Sequence, residues 1–179
     1  MRSKTFTVGL AVLAVVALAC GASPSLTEGG GAAGAAGKGT NVGPVAVKMG
    51  QKLTVDTGSL SATYTLSKAQ VETRSEFGSE AENGAYLLAF LRVDVTKGET
   101  FACSCELSLV QKNGKVREPS FAGFDGKPEF ESADLKAGQN TDGWVSWDLP
   151  PDEISGSKVQ LKISSLFSDS EYGYWTVKS

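Results

Sequence analysis

Residues 85–96 read Ala85-Tyr86-Leu87-Leu88-Ala89-Phe90-Leu91-Arg92-Val93-Asp94-Val95-Thr96. Leu87, Ala89, Leu91, Val93 and Val95 recur at every second position, with Leu88, Phe90, Arg92, Asp94 and Thr96 between them. Successive side chains of a β-strand point to opposite faces, so a period of two is the signature of a strand with one face on a core. The set from Leu87 to Val95 is predicted to face inward. The opening half is apolar on both faces, as expected of a central strand.

The same period runs outward in both directions. Toward the N-terminus, Leu53 and Val55 alternate with polar neighbours, as do Ala62, Tyr64 and Leu66. Val71 continues in the other phase, which a bulge would allow. Toward the C-terminus, Cys103, Cys105, Leu107 and Leu109 predict a strand near 103–112. Asn113-Gly114 is a two-residue hairpin signal leading to a partner strand near 115–121. A Gly- and Pro-containing loop, 122–128, precedes a short extended segment around 129–132. The turn 135–139 feeds a strand in which Val145, Trp147 and Leu149 share a face and Pro150-Pro151 ends the run. Val159, Leu161 and Ile163 form another strand, and Trp175 and Val177 point inward from a last one over 172–177. No long segment has helical periodicity.

Short strands separated by turn signals, without intervening helices, predict an all-β immunoglobulin-like antiparallel β-sandwich of about seven to nine strands, with a closed barrel as the alternative. Leu91, Val93, Trp147, Leu161 and Trp175 are the expected core. The order Val-Asp-Val-Thr at 93–96, Leu-x-Leu-Val-x-x-x-Gly at 107–114, Leu-x-Ala-Gly-Gln-x-x-x-Gly-Trp-Val-x-Trp-Asp-Leu-Pro at 135–150 and Val-x-Leu-x-Ile at 159–163 resembles a domain of unknown function. That domain occurs in lipoproteins and secreted proteins of Gram-positive bacteria and is related in fold to a mycobacterial secreted immunogenic antigen. The resemblance implies an immunoglobulin-like sandwich on the cell surface and brings no catalytic residues with it. The Cys-Ser-Cys at 103–105 is not part of the pattern.

The chain begins with Arg2 and Lys4, followed by an uncharged apolar run from Phe6 to Ala19. That is the charged head and apolar middle of a signal peptide, and it is short of the roughly 20 residues that a membrane span needs. Val16-Ala17-Leu18-Ala19-Cys20-Gly21 resembles the lipobox of bacterial lipoproteins, with Cys20 as the lipidated residue; Ala17-Leu18-Ala19 also fits an ordinary cleavage site. Lipid on Cys20 would attach the protein to the membrane, facing outward on the cell envelope. Residues 20–41 are rich in Gly, Ala, Ser and Thr and are expected to be a flexible tether, holding the domain roughly 25 Å from the membrane. The expected organisation is therefore a signal peptide over 1–19, a lipidated tether over 20–41 and one sandwich domain over 42–179.

Without residues 1–19 the chain has 15 basic and 20 acidic residues, a net charge of −5. A mildly acidic domain lacking a basic cluster argues against nucleic-acid binding. The chain contains no histidine, which removes Ser/His/Asp and Cys/His nucleophile arrangements and His-ligated metal sites. No cofactor or metal is expected, and the acidic residues of the predicted loops read as surface charge. Three features stand out as candidate sites. Cys20 is the lipidation site. Cys103 and Cys105 could be a local disulfide, two thiols, or a redox or metal site; on an extended strand their Cα atoms would lie near the upper limit for a disulfide, so bonding needs a kink. Trp144, Tyr172 and Tyr174 are the outward aromatic candidates for a partner surface. The leading expectation is a non-enzymatic interaction module meeting a protein or cell-wall partner. The alternative is a thiol-dependent redox or metal-handling lipoprotein using Cys103 and Cys105.

Overall fold

The computed structural model describes residues 25–29, 45–163 and 171–178. The signal segment and Cys20 lie outside them. The alternating stretch at 85–96 forms β5 (Ala85–Lys97), paired antiparallel on one side with β4 (Ser61–Glu72) and on the other with β10 (Asn140–Leu149). β3 (Lys52–Asp56) and β1 (Ser25–Gly29) extend this sheet in the order β1-β3-β4-β5-β10. A second sheet comprises β2 (Val45–Lys48), β12 (Glu171–Thr176), β11 (Lys158–Ile163), β7 (Leu107–Val110) and β8 (Val116–Arg117), in that order. β2 runs parallel to β12. A two-stranded ribbon pairs β6 (Glu99–Ala102) with β9 (Ala133–Lys136).

The inward residues of both sheets interdigitate into one core, so the molecule is the expected β-sandwich. Leu91, Val93, Trp147, Leu161 and Trp175 are all buried in it. Trp175 Nε1–H donates to the Gln51 carbonyl at 2.8 Å, which satisfies the one polar atom this ring takes inside. Gly173 allows the sheets to close: a Cβ there would stand 2.5 Å from Leu53 Cδ1.

Both faces of the first half of β5 are covered, as its composition predicts. Leu88 and Tyr86 face away from the second sheet and are buried instead under the 119–130 segment, where Phe124 meets Tyr86 edge-on with centroids 5.2 Å apart. The same segment caps the free edge of β10. Ser120 N–H donates to Ser146 O, Trp144 N–H to Pro128 O and Phe130 N–H to Trp144 O. An edge strand with unpaired amides is a template for aggregation, and this segment removes it.

Several boundaries differ from the alternation. The strand expected near 103–112 is broken: β6 ends at Ala102, a 3₁₀ turn occupies Ser104–Glu106, and β7 starts at Leu107. The hairpin after β7 closes with three turn residues rather than two, because Gln111 N–H pairs with Lys115 O and Gly114 takes the left-handed conformation at φ 84°. Its returning strand β8 is only two residues long. The bulge invoked for Val71 is present, with Lys68 at φ 53° and the register slipping between Ser67 and Gln70. Val71 itself is half exposed.

The tether expectation is corrected over Ser25–Gly29. These residues form β1 on the edge of the first sheet, with Leu26 buried in the core. The composition of 20–41 averages over the apolar Leu26 and the β-branched Thr27, which are sufficient for one edge strand when Leu53 and Gly173 leave a slot for the leucine. Together with the separate β6–β9 ribbon, β1 raises the described strands to twelve. No helix among the described residues is long and apolar enough to cross a membrane.

Candidate functional site

The chemistry-bearing residues converge where the chain passes from β6 to β7. Ala102 is buried and ends the ribbon, Leu107 is buried and begins the second sheet, and the residues between must turn sharply. Cys103 caps that turn in an extended conformation, its Sγ accepting the Cys105 N–H at 3.0 Å, while Glu106 N–H donates to Cys103 O. The turn brings the two Cα atoms to 5.1 Å, and Cys103 and Cys105 form a disulfide. This is the kink that an i, i+2 bond requires. Cys105 is exposed and Cys103 half-buried.

Closing so small a ring adds little stability. The chain-entropy relation gives roughly 1.6 kcal/mol for a loop of about three residues, against about 4.7 for one of a hundred. The turn is already held by its own backbone hydrogen bonds, so the bond staples nothing distant.

Directly after the disulfide, Glu106 turns its carboxylate inward to accept the Tyr64 O–H at 3.0 Å. Burial pushes the Glu106 carboxyl up to about 7, and the hydrogen bond from Tyr64 works against that rise. Burial likewise pushes the Tyr64 hydroxyl up, with the Glu106 charge adding to it, so Tyr64 stays a donor. The alternation gave no signal for this pair, because position 106 falls in the outward phase of a continuous strand and only the turn redirects it.

Ser104, between the two cysteines, also lines a shallow pocket with Phe121, Phe124, Glu129, Phe130 and Trp144. Phe121 at its rim is 87 % exposed, and the nearby Phe77 is 83 % exposed. The Phe77 ring comes within 3.3 Å of where a Cβ on Gly123 would stand, and Glu76 N–H donates to Gly123 O at 2.8 Å. One bare phenyl ring thus belongs to the 121–124 segment and a second reaches it at Gly123, an arrangement that depends on loop packing and has no periodic signature.

The aromatic candidates separate. Trp144 sits on the outer face of the first sheet, edge-on to Phe90 at 5.7 Å, and Lys68 Nζ stands 4.8 Å over the Phe90 ring. Tyr172 and Tyr174 are on β12, in phase opposite to the buried Gly173 and Trp175, and so lie on the outer face of the other sheet. The single surface expected of Trp144, Tyr172 and Tyr174 is corrected: the thickness of the sandwich divides it, because clustering in sequence does not carry across two sheets. Beside Trp144, Arg92 pairs with Asp94 at 2.7 Å and with Asp142 at 3.0 Å, which accounts for Asp142 as surface charge. Among the described residues no group of three or more His, Cys, Asp or Glu side chains is placed to hold a metal.

The fold has counterparts of known structure. A secreted protein of Mycobacterium tuberculosis, MPT63, aligns with a TM-score of 0.57 and 18% identity over 74% of this chain and 97% of its own. The yjhA protein of Bacillus subtilis aligns with a TM-score of 0.54 and 12% identity over 72% of this chain and 98% of its own. No family model matches the chain, and no curated protein does so. At these identities the likeness is one of fold: this chain is a β-sandwich similar to that of a secreted mycobacterial protein.

Proposed function

We propose that the protein is an exported lipoprotein, held to the membrane through lipid on Cys20 and facing outward, whose sandwich works by binding a partner and not as a turnover catalyst. One observation carries the binding half. Phe121 stands almost fully in solvent at the rim of the pocket that Trp144 lines, and Phe77, whose ring approaches Gly123, is nearly as bare; no other large apolar side chain among the described residues is as exposed as either. Exposed aromatic rings clustered around a concavity are where interfaces place their anchors. Their bare phenyl groups suit the apolar side chains of a protein better than a glycan, which asks for flanking hydrogen-bond donors and acceptors. The charged head, apolar run and lipobox of residues 1–21 support the anchoring half.

Binding is tested by comparing capture of an envelope protein by the wild-type chain and by a Phe77→Ser/Phe121→Ser variant. Loss of a saturable partner in the variant alone supports the reading; equal capture by both sinks it. Mass spectrometry of the mature N-terminus tests the anchor, which an unmodified Cys20 overturns.

A further inference from the structure

The geometry points to the Cys103–Cys105 disulfide as a thiol–disulfide exchange site that accepts two electrons from a dithiol of the docked protein partner. This rests on the binding reading for the identity of the partner, while the sulfur chemistry stands on the turn itself. Four features combine there. The bond lies at the surface, with Cys105 exposed. It spans a single residue and contributes little to holding the fold, so opening it leaves both sheets in place. The Cys105 N–H already donates to Cys103 Sγ, a contact that stabilises a thiolate at Cys103 and makes it the better leaving group. Ser104 joins the disulfide to the pocket beneath Phe121 and Trp144, so a partner seated there carries its cysteines to the bond.

The exchange runs in two displacements. A partner thiol gives its proton to solvent, and its thiolate attacks Cys105 Sγ. The partner–Cys105 bond forms, the Cys103–Cys105 bond breaks, and its electron pair leaves on Cys103. A second partner thiolate then attacks the partner sulfur of the mixed disulfide, closing a partner disulfide and releasing Cys105 as thiolate. Cys103 and Cys105 each take up a proton. One partner dithiol is oxidised and one Cys103–Cys105 bond is reduced, with no further oxidant required for that single exchange.

The test uses the mature chain and mass spectrometry of the tryptic peptide Gly98–Lys112, which holds Cys103 and Cys105 and not Cys20. In glutathione buffers of graded composition the bond is expected to open and re-form reversibly, half-reduced within the range that leaves buried structural disulfides oxidised. A bond still closed at the most reducing buffer overturns the proposal, and this measurement needs no variant. When reduction by glutathione is quenched with iodoacetamide before completion, fragmentation of that peptide is expected to place the mixed disulfide on Cys105 and the alkylated thiol on Cys103; an even split, or a preference for glutathione on Cys103, overturns the assigned roles. Reduced, unfolded lysozyme as a protein dithiol separates the two readings. If Phe121→Ser slows its oxidation but not the reaction with glutathione, docking and exchange both hold. If glutathione opens the bond and Phe121→Ser changes nothing, the exchange holds and the pocket fails as the partner's seat.

Discussion

Replacing Glu106 with glutamine should flatten the dependence of stability on pH near neutrality. The carboxyl is raised from 4.5 to about 7 by burial, so in the folded state it holds its proton over a range where the unfolded chain has lost it. The folded form then binds more protons than the unfolded form, and stability falls as pH rises. The stabilisation is complete below about 4.5 and is lost as pH passes through about 7. A difference of about 2.5 units is worth about 3.4 kcal/mol at 1.36 kcal/mol per unit. For a domain of this size that is a midpoint shift of roughly 10 °C. The chain has no histidine, so no imidazole titrates in the same window. The amide of the Glu106→Gln variant would keep an acceptor for the Tyr64 O–H without a titrating proton. The assay is urea unfolding from pH 4 to 9, followed by the fluorescence of the buried Trp147 and Trp175. Wild type and Glu106→Gln should be close in stability at pH 4, and by pH 8 the variant should lead by about 3 kcal/mol. Subtracting the two curves cancels the other carboxylates. Curves that stay parallel from pH 4 to 9 would refute the burial of this carboxylate.

Other substitutions probe the packing. Leu26→Ala should cost about 2 kcal/mol by emptying a core site at the sheet edge; a loss under about 0.5 kcal/mol in denaturant unfolding would mean that β1 is not part of the folded unit. Gly173→Ala should cost roughly 1–3 kcal/mol, because its methyl group would crowd Leu53 in a closed core; an unchanged melting temperature would contradict the close approach of β12 to β3. Trp175→Phe and Trp147→Phe remove the same group from fully buried sites, but only Trp175 donates from its indole nitrogen, to Gln51 O, whereas Trp147 Nε1 has no partner. Trp175→Phe should therefore be the costlier by about 1 kcal/mol, and the reverse order would exclude the Gln51 bond as a net contributor.

The parts of the fold that were legible in sequence are those where burial alone dictates residue type. Along β5 each inward position must be apolar to reach the core, so the period of two appears without interruption. Trp147, Leu161 and Trp175 follow the same rule on other strands. Legibility failed where a residue is placed by contacts distant in sequence. Leu26 is one apolar residue in a Gly- and Ala-rich run, and it becomes a core residue only because β3 offers an edge and Gly173 leaves a slot. The three-residue hairpin fails for a local reason: Asn-Gly serves two-residue and three-residue turns alike, and only the Gln111–Lys115 pairing selects between them.

The candidate site shows the same division more sharply. Cys103 and Cys105 stand out as a pair in any oxidising setting, but alternation with Leu107 and Leu109 argues for a straight strand, in which they would not bond. The pattern misleads because it is continued by residues on both sides of a corner: Ala102 is buried with the β6–β9 ribbon and Leu107 in the second sheet. Two short runs with the same phase are thus indistinguishable from one long run. The corner does three things at once that the one-dimensional pattern forbids. It brings the sulfurs together, turns Glu106 from the outward phase to Tyr64, and exposes Ser104 to the Trp144 pocket. The aromatic row fails in the opposite sense, since Trp144 and Tyr174 are each outward as read but belong to different sheets. Phase assigns a residue to a face, and only the topology says whether two faces are the same surface. The pocket lined by Ser104, Phe121 and Trp144 is therefore a property of how β10 acquires its cover from the 119–130 segment, and that cover is written in hydrogen bonds to Ser120, Pro128 and Phe130 rather than in any motif.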